Sequence, residues 1–499
     1  MLFLNAKLSH QSQFNYYSQR AFTTPVNGQT NAPSTILTKT AIKLDNPYTG
    51  EIIDEFPFLT KDEQLKILGQ ARDAGNTCRQ LNLGQRKAII ENIIKYLVEN
   101  REELAKEITT MMGKPIVQSR EEIDTSIERC KAISSLADDA LDIEHISSID
   151  GVKKYVIKEP LGTVLILSSH DFPILNVINH MVPAVLSGNS VLLKDSPRTP
   201  TIGRHFQKAC GDSNIVQHFL ADQQSVKNLY QEHAINYVVF MGSLGSAHDV
   251  YMEVAKNDFI DVQLDLGGKE AAFVAEDADQ DNAIEMLLKA SFYNTGQSRN
   301  SMQRIFVEKV IYDEFVNKFS KRAFETLKLG DPMDESTNIG PLATSEYVEV
   351  MQDLVDDAVS MGGSVVLGGT QNTDEHGMGR FYEPTIICNA TNGMRVQAEQ
   401  VFGPIVTFQE VDDDRQARSL INSSKYGVTS SIFTNNEITM DYFIGNLRVG
   451  VVNINKCPVM QDHYLPVTGR KVCNKILYNS KYAFDNFTRL KSVNMKIII

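Results

Sequence analysis

The sequence predicts an α/β protein built on parallel sheets, and three observations favour this fold class. The chain has 499 residues, which is enough for two or three domains with large cores. From residue 163 onward, short apolar segments alternate with helical stretches, as is typical of βαβ units. Hydrophobic residues make up 42% and charged residues 22% of the chain, which is the composition of an ordinary globular protein.

Composition also excludes several classes of partner. A formal net charge of −13 argues against nucleic acid, because proteins that bind polyanions usually present a basic face. No apolar run approaches the length that a membrane span requires. The six cysteines include no C-x-x-C pair, so neither a disulfide framework nor a zinc site is indicated. We therefore expect no nucleic acid, no membrane and no metal.

The first 44 residues differ from the rest of the chain because they contain no acidic residue. With a plausible processing site at Gln19–Thr23, they look like a mitochondrial transit peptide, which predicts a location in the mitochondrial matrix. The alternative is an uncharged polar tail on a cytoplasmic protein. On either interpretation residues 1–44 are expected to be a disordered leader, with structure beginning at Asn46. The lysines and arginines of this leader are Lys7, Arg20, Lys39 and Lys43.

The first ordered elements are predicted to be a strand and a set of helices. A turn at residues 46–51 leads into a strand from Ile52 to Phe56. Thr60 and Glu63 form a capping box that opens a helix. Apolar residues at helical spacing then predict a helical hairpin up to Gly113-Lys-Pro115. The residues with this spacing are Ile90, Ile93, Ile94, Leu97, Leu104, Ile108 and Met111.

Two α/β series follow. The first is predicted to contain the buried strands Thr163–Leu167, Val191–Leu193, Tyr237–Phe240 and Ala271–Val274. The second runs from about Asp279 to Asn455, with predicted strands at Arg304–Val307, Ser364–Leu367, Ile405–Gln409 and Ser431–Phe433. Outside both series, Val152–Lys158 and Thr488–Ile499 are also strand-like.

The segment Phe292–Arg304 reads F-Y-N-T-G-Q-S-R-N-S-M-Q-R and resembles the active-site signature of the aldehyde dehydrogenase superfamily, F-x-N-x-G-Q-x-C-x-x-x-x-R. Every fixed position matches except the cysteine, where Arg299 stands. The resemblance covers about residues 46–495. Further matching blocks are Phe172-Pro173, Pro183-Ala184, Gly188-Asn189, Lys194, Phe240-Met-Gly-Ser243, Leu264-Asp-Leu-Gly-Gly-Lys269, Arg380-Phe-Tyr-Glu-Pro-Thr385, Phe402-Gly-Pro404 and Gly450-Val-Val-Asn453.

The resemblance implies an aldehyde dehydrogenase-like architecture. A Rossmann-type nucleotide-binding domain is expected at residues 45–148 and 161–265, followed by a catalytic-type α/β domain at 266–455. Residues 149–160 and 475–499 are expected to form a β-sheet that bridges subunits of a homodimer or homotetramer. From the residues alone, the apolar end of the chain could equally be a strand packed within one monomer.

A nucleotide site can be read partly from the residues and partly from the resemblance. Gly242-Ser243 follows a buried strand and opens a helix, where backbone N–H groups favour a pyrophosphate. The resemblance places Lys194 at the adenosine ribose, Gln400 at the nicotinamide ribose and Phe402 near the ring. The usual ribose-binding glutamate falls at Pro197, which leaves both NAD and NADP open and predicts weakened or absent binding.

The nucleophile that the resemblance implies is missing from this sequence. In the superfamily a cysteine thiolate attacks the aldehyde, but the guanidinium of Arg299 stays protonated and offers no lone pair. The oxyanion position falls at Asp171, which as a carboxylate can only accept hydrogen bonds. The general-base position falls at Asp265, one methylene shorter than glutamate. The glycine-rich loop near the C-terminus is reduced to residues 466–474.

These substitutions are interpreted as linked. We expect Arg299 to pair with Asp171, or as second choice with Asp265, because an unpaired buried charge is costly; the alternative is an arginine pointing into an empty tunnel. Cys457 is considered as a displaced nucleophile but is expected to be a loop thiol. Three functions follow: a nucleotide-binding pseudoenzyme or partner subunit, an active NAD(P)-dependent aldehyde oxidoreductase with a modified mechanism, and a structural oligomerising protein without nucleotide.

Overall fold

The computed structural model describes residues 36–149, 152–257, 259–457 and 459–496. Its helices are α1 Lys61–Gln80, α2 Leu83–Glu99, α3 Arg101–Met112, α4 Ile116–Ala140, α5 Leu175–Leu186, α6 Ile202–Ala209, α7 Gln223–Leu229, α8 Leu244–Ala255, α9 Gln280–Phe292, α10 Tyr312–Thr326, α11 Ser345–Ser360, α12 Arg395–Ala398, α13 Asp414–Ser423 and α14 Glu437–Asn446.

The strands form several separate sheets. They are β1 Ile36–Leu37, β2 Ala41–Asp45, β3 Ile52–Pro57, β4 Glu144–Ile149, β5 Val152–Pro160, β6 Thr163–Leu167, β7 Ser190–Lys194, β8 Val216–Phe219, β9 Tyr237–Gly242, β10 Asp261–Leu266, β11 Glu270–Val274, β12 Met302–Glu308, β13 Ser364–Leu367, β14 Gln371–Asn372, β15 Phe381–Tyr382, β16 Thr385–Cys388, β17 Ile405–Val411, β18 Thr429–Phe433, β19 Val451–Ile454, β20 Val467–Thr468, β21 Leu477–Tyr478 and β22 Thr488–Lys496.

The first large sheet is parallel and has the strand order β10-β9-β6-β7-β8. Its central strand β6 is buried along its whole length, which explains the continuous apolar run T-V-L-I-L. Three of the four strands predicted for the first α/β series lie in this sheet. The fourth, predicted at Ala271–Val274, is β11 and belongs to the second sheet. The chain passes from one sheet to the other at residues 267–269.

The second large sheet has the order β13-β16-β17-β12-β11-β18-β19 and is parallel except for β13. All four strands predicted for the second α/β series are present, and Ser364–Leu367 has the predicted bounds. Buried aromatic side chains of α10 and β17 fill the space beneath the sheet, with the rings of Phe319 and Phe408 in edge-on contact at 4.9 Å. The predicted α/β fold is therefore confirmed.

The helices before the first sheet also follow the prediction. Thr60 caps α1, and the reciprocal hydrogen bonds of the capping box with Glu63 are present. The helical hairpin consists of α2 and α3, and α3 ends at Gly113 in the left-handed conformation with φ 75°. A Cβ atom at position 113 would lie 2.6 Å from a side-chain atom of Pro341. The left-handed conformation and the lack of space therefore both require glycine there. No helix of the described ranges combines the length and apolarity needed to cross a membrane.

A separate antiparallel sheet has the order β22-β5-β4. Strand β22 pairs with β5 from Thr488 opposite Pro160 to Lys496 opposite Val152. The two segments predicted to be strand-like therefore pair with each other, as expected. The third strand, β4, was placed by the sequence in the preceding domain; its short polar stretch E-H-I-S-S-I carries no clear strand pattern. Residues 497–499, which end the predicted strand, lie outside the described residues.

The prediction that residues 1–44 are a disordered leader is wrong for residues 36–44. These residues form β1 and most of β2, which pair with β3 in a three-stranded sheet, so structure is present at least ten residues before Asn46. Ile42 and Leu44 are buried in the core, and their burial provides the free energy that orders the segment. Residues 1–35, including the predicted processing site at Gln19–Thr23, lie outside the described residues.

Candidate functional site

Arg299 lies on a tight loop that follows α9. The loop turns through the left-handed conformation at Asn294, Thr295 and Gly296, with φ values of 53°, 56° and 67°. A side chain on Gly296 would lie 2.2 Å from the carbonyl oxygen of Gly403, so glycine is required by space as well as by conformation. The fixed glycine of the signature thus has a structural explanation.

Arg299 is only 7% exposed and bonds two carboxylates at once. Its Nε donates to Asp171 Oδ2 at 3.2 Å. Its Nη1 lies 3.0 Å from Asp265 Oδ2 and donates to the backbone oxygen of Asp265 at 2.7 Å. The expected pairing of Arg299 is therefore confirmed, and the first and second choices of partner are both realised.

The two carboxylates have further partners that fix their orientation. Asp171 Oδ1 accepts hydrogen bonds from Ser169 Oγ at 2.6 Å and from Asn176 Nδ2 at 2.8 Å. Asp265 Oδ2 lies 3.4 Å from Nε2 of the fully buried His180. Arg299 is thus held in a closed network, in which a guanidinium and two carboxylates are all less than one tenth exposed.

The charges of this network stabilise one another. Burial alone would raise the pKa of Asp171, but the Arg299 charge and the hydrogen bond from Ser169 outweigh it and lower the pKa to about 2. Burial likewise opposes ionisation of Asp265, and Arg299 again lowers its pKa below the ordinary value. Burial would lower the pKa of Arg299, but the two carboxylates raise it instead. All three groups are therefore ionised at neutral pH.

Most of the predicted site residues line one cleft of about 710 Å³ at the carboxyl ends of the first sheet's strands. Lys194 and Pro197 line a neighbouring cavity of about 370 Å³, which shares Ser168, Ser196, Phe240 and Ser246 with the cleft. Asp265 does not line the cleft but contacts Arg299, which does. The predicted site residues in the cleft itself are Asp171, Gly242, Ser243, Arg299, Gln400 and Phe402.

The residues of the cleft fit a dinucleotide. Strand β9 ends at Gly242, and Ser243 caps α8 by accepting a hydrogen bond from the Ser246 N–H at 3.3 Å. The first N–H groups of this helix face the region where an anionic pyrophosphate would be stabilised. Nε2 of Gln400 is buried and has no hydrogen-bond partner among the described residues, so a donor remains for a ligand oxygen.

Lys194 ends β7 at the edge of the neighbouring cavity. Its Nζ donates to the backbone oxygen of Asp195 at 3.2 Å, and burial lowers its pKa below the ordinary value. Pro197 lies beside it and offers neither a charge nor a side-chain hydrogen bond. The structure thus brings the predicted cofactor residues together, although their contacts with a nucleotide remain predictions.

Two histidines that no sequence motif marks as site residues lie at the site. His170 packs between Tyr347, with ring centroids 6.1 Å apart, and Phe402 at 5.7 Å. Burial lowers the pKa of His170 to about 4, so this histidine is neutral. His180 packs edge-on against Tyr478 at 5.7 Å. Its position within an apolar helix gave no signal of its contact with Asp265.

Cys457 is poorly suited to replace the missing thiol. It lines an outer cavity of about 710 Å³ that does not contain Arg299. Burial raises the pKa of its thiol to about 12, so the nucleophilic thiolate is scarcely populated at neutral pH. The expectation that Cys457 is not a displaced nucleophile is consistent with this placement.

The parallel sheets, with a cleft at their carboxyl ends, define an α/β protein whose residues fit a dinucleotide. The chain belongs to the aldehyde dehydrogenase family, whose model matches residues 36–493. The lactaldehyde dehydrogenase of Methanococcus aeolicus is 30% identical over 91% of this chain and 96% of its own length. The NADP-dependent D-glyceraldehyde dehydrogenase of Thermoplasma acidophilum is 29% identical over 90% of this chain and 91% of its own.

Solved structures of aldehyde dehydrogenases are also similar to this chain. The glyceraldehyde-3-phosphate dehydrogenase GapN of Methanocaldococcus jannaschii, in complex with NADP, superposes with a TM-score of 0.85 at 26% identity, covering 92% of this chain and 100% of its own. The aldehyde dehydrogenase 21 of Physcomitrella patens, in complex with succinate, has a TM-score of 0.85 at 26% identity, covering 93% and 98%. The fold is therefore that of aldehyde dehydrogenases.

Proposed function

We propose that this protein is a nucleotide-binding member of the aldehyde dehydrogenase family that does not oxidise aldehydes through a thiol. One observation carries the proposal: the residue at the signature's cysteine position is Arg299, and its guanidinium is bonded to both Asp171 and Asp265. The protein would then act as a pseudoenzyme or as a partner subunit in an oligomer.

Each step of the usual reaction meets an obstacle. A protonated guanidinium has no lone pair with which to attack an aldehyde carbon. A carboxylate at Asp171 opposes the negative charge that develops on the aldehyde oxygen, whereas a hydrogen-bond donor would stabilise it. The carboxylate of Asp265 already accepts hydrogen bonds from Arg299 and His180, so it is not free to take a proton from water.

Nucleotide binding is a separate property, and several features support it. The start of α8 at Gly242-Ser243, Lys194 and the donor of Gln400 would hold the phosphates and riboses, while Phe402 would contact the ring. NAD or NADP supplies a hydride acceptor in enzymes of this type. The absence of a carboxylate at Pro197 is compatible with a 2′-phosphate, and several relatives are named for NADP.

Two assays on one preparation test the proposal. Absorbance at the NAD(P)H band is followed over a panel of small aldehydes with NAD and with NADP, and the melting temperature is measured as each nucleotide is titrated. We expect no NAD(P)H above the no-enzyme rate and a rise in melting temperature only at high nucleotide concentration, as mass action requires.

The alternatives give different outcomes. Sustained NAD(P)H formation would mean an active oxidoreductase with a modified mechanism and would overturn the proposal. No change in melting temperature at millimolar nucleotide would favour a structural protein without cofactor. A mock preparation from host cells that lack this protein, purified in the same way, serves as the control for contaminating dehydrogenase, because any rate that it shows does not come from this protein.

A further inference from the structure

Arg129, on α4, is a buried cation whose described hydrogen-bond acceptors are all neutral. Its side chain is 1% exposed. Nε donates to His463 Nδ1 at 2.7 Å, and Nη2 donates to the backbone oxygen of Gln461 at 2.7 Å. Nη1 donates to Asn179 Oδ1 at 2.6 Å and to Asn479 Oδ1. Arg129 thus ties the segment around residue 461 to α4 and α5.

Residues 459–465, here called the wall segment, begin with side chains that line two cavities. Val459, Met460 and Gln461 line a small inner cavity of about 30 Å³ together with Arg299 and Asp171. Val459 and Met460 also line the outer cavity of about 710 Å³. The inner cavity is large enough for one or two water molecules only. Val459 and Met460 line both cavities and so lie between Arg299 and the outer cavity.

The contact between Arg129 and His463 requires a neutral imidazole. An arginine can only donate hydrogen bonds, so Nδ1 of His463 must present its lone pair and the ring proton must lie on Nε2. A proton added at Nδ1 removes the acceptor and places a second positive charge 2.7 Å from the guanidinium. Protonation of His463 and the contact with Arg129 therefore exclude each other.

The charged groups around His463 come from two elements. Arg129 and Glu128 face it from α4, and Asp462 precedes it in the wall segment. Burial and the Arg129 charge lower the pKa of His463, and the two carboxylates only partly offset this effect. The third neighbouring element, around Ser480, contributes a backbone N–H that donates to the His463 carbonyl at 3.5 Å.

We propose that the wall segment is a pH-sensitive gate, closed when neutral His463 accepts the hydrogen bond from Arg129 and released when His463 is protonated. Opening joins the outer cavity to the inner one and gives a ligand from the outer side access to Arg299. The gate does not depend on the proposed function, because neither Arg129 nor any residue of the wall segment lines the nucleotide cleft.

Hydrogen exchange of the wild-type protein tests the gate. The sign follows from linkage: because the closed state holds His463 neutral, closure is favoured above the ordinary histidine pKa of about 6.5 and weakens as pH falls below it. Exchange corrected for its intrinsic pH dependence should therefore accelerate in peptides covering the wall segment, by up to about tenfold per pH unit. Peptides covering β6 (Thr163–Leu167) should stay protected.

Two variants assign the effect to His463. Asparagine can place an uncharged acceptor where Nδ1 lies, so His463→Asn should keep the wall segment protected at both pH 7.5 and pH 5. The matched control is His376→Asn, in an exposed loop, which should behave as wild type. Wall protection that is unchanged by pH in wild type, equal loss of protection in β6, or pH dependence that persists in His463→Asn would each overturn the proposal.

The wild-type comparison remains decisive if His463→Asn fails to fold. In that case His463→Ala, checked by its melting temperature and circular dichroism, replaces it; because this variant has no titrating side chain at position 463, exchange of its wall segment should not change between pH 7.5 and pH 5. Binding of a small carboxylate such as acetate provides a second readout. Its association rate should rise with falling pH in wild type and remain flat in the amide variant, and a rate that rises equally in both would count against the gate.

Discussion

Arg299 Nε donates to Asp171 Oδ2 at 3.2 Å, and this contact joins the loop that leads into the second sheet to the loop that follows β6 in the first. Asp265, at the end of the first sheet's β10, binds the same guanidinium. One side chain in the lining of the cleft therefore ties the two α/β units together. Removing a member of this network should affect the stability of the protein as well as its chemistry.

Asp171→Ala should destabilise the protein by about 3 kcal/mol, because it leaves a buried guanidinium with one carboxylate instead of two. The free energy of unfolding, measured in urea at pH 7, checks this value. Asp212→Ala, at an exposed position, is the matched control and should change stability by less than about 0.5 kcal/mol. Equal effects of the two substitutions would show that the ion pair contributes nothing to stability.

The carboxylates of the network should also make the protein sensitive to acid. The pKa of Asp171 in the folded state, about 2, lies below its ordinary value, so its contribution is present at neutral pH and lost as pH falls from about 4 towards 2. In Asp171→Asn this part of the pH dependence should disappear. Unfolding monitored by circular dichroism between pH 5 and pH 2 measures it, and parallel curves for both proteins would refute the prediction.

Restoring the thiol alone should restore little activity. Arg299→Cys supplies a nucleophile, but Asp171 still repels the oxyanion, and the loss of such a donor costs roughly 10²–10³ in rate. Asp265 also remains one methylene shorter than the glutamate of the general-base position, so its carboxylate does not reach as far. The triple variant Arg299→Cys, Asp171→Asn, Asp265→Glu should exceed the single variant by far more than an additive effect, because residues that act as a unit are not additive.

NADH or NADPH formation with a short aliphatic aldehyde compares these variants. Arg299→Ser, which has the size of cysteine but a much weaker nucleophile, is the control in both backgrounds. High activity of the single Arg299→Cys variant would show that the other substitutions are no obstacle to catalysis.

Pro197→Glu should shift nucleotide preference towards NAD. A carboxylate beside Lys194 would accept hydrogen bonds from a ribose and repel a 2′-phosphate. Titration calorimetry should give a lower affinity for NADP and a higher affinity for NAD than wild type. Pro197→Gln introduces a side chain of the same size as glutamate but without the charge, and it should leave NADP binding nearly unchanged. An equal loss of NADP affinity in the two variants would mean that the shape of the side chain, and not its charge, causes the effect.

Glu270 should make the protein less stable as pH rises. One of its oxygens accepts from the Thr429 N–H at 2.5 Å, and the other has no partner among the described residues. Burial raises its pKa to about 8, although the Thr429 bond and nearby cations oppose the shift. Between roughly pH 4 and pH 8 the folded state therefore binds more protons than the unfolded chain, so stability falls with rising pH.

Glu270→Gln removes that titration and should be more stable than wild type at pH 8 by about 1 kcal/mol or more, with the difference shrinking at pH 5. Free energies of unfolding at the two pH values give the comparison. The exposed Glu349→Gln provides the control, and a difference that does not change with pH would contradict the assignment.

The sequence predicted the elements with strong periodicity and missed those without it. Strand β6 and the capping box of α1 have local patterns that suffice for their placement. Strand β2, at residues 41–45, is buried but only five residues long and follows a polar stretch, so its order comes from packing that a local pattern does not contain. The polar strand β4 is ordered by its pairing with β5 for the same reason.

At the site, the identity of the charged residues was easier to predict than the contacts between residues that are distant in sequence. The signature identified Arg299, and the cost of an unpaired buried charge led to Asp171 and Asp265 as its partners. The contacts of His180 and Arg129 could not be predicted, because each joins elements that are far apart in sequence, and nothing in the neighbouring residues marks them. Tertiary contacts of this kind depend on the whole fold.

The pairing of β22 with β5 also bears on how the protein is made. Thr488 lies opposite Pro160, so the last described strand completes a sheet whose other strands precede it by more than three hundred residues. The ribosome makes β22 more than three hundred residues after β5, and segments made earlier can begin to fold before it appears. During synthesis β5 therefore lacks its partner and presents an open edge. That edge closes only after β22 has also emerged from the ribosome.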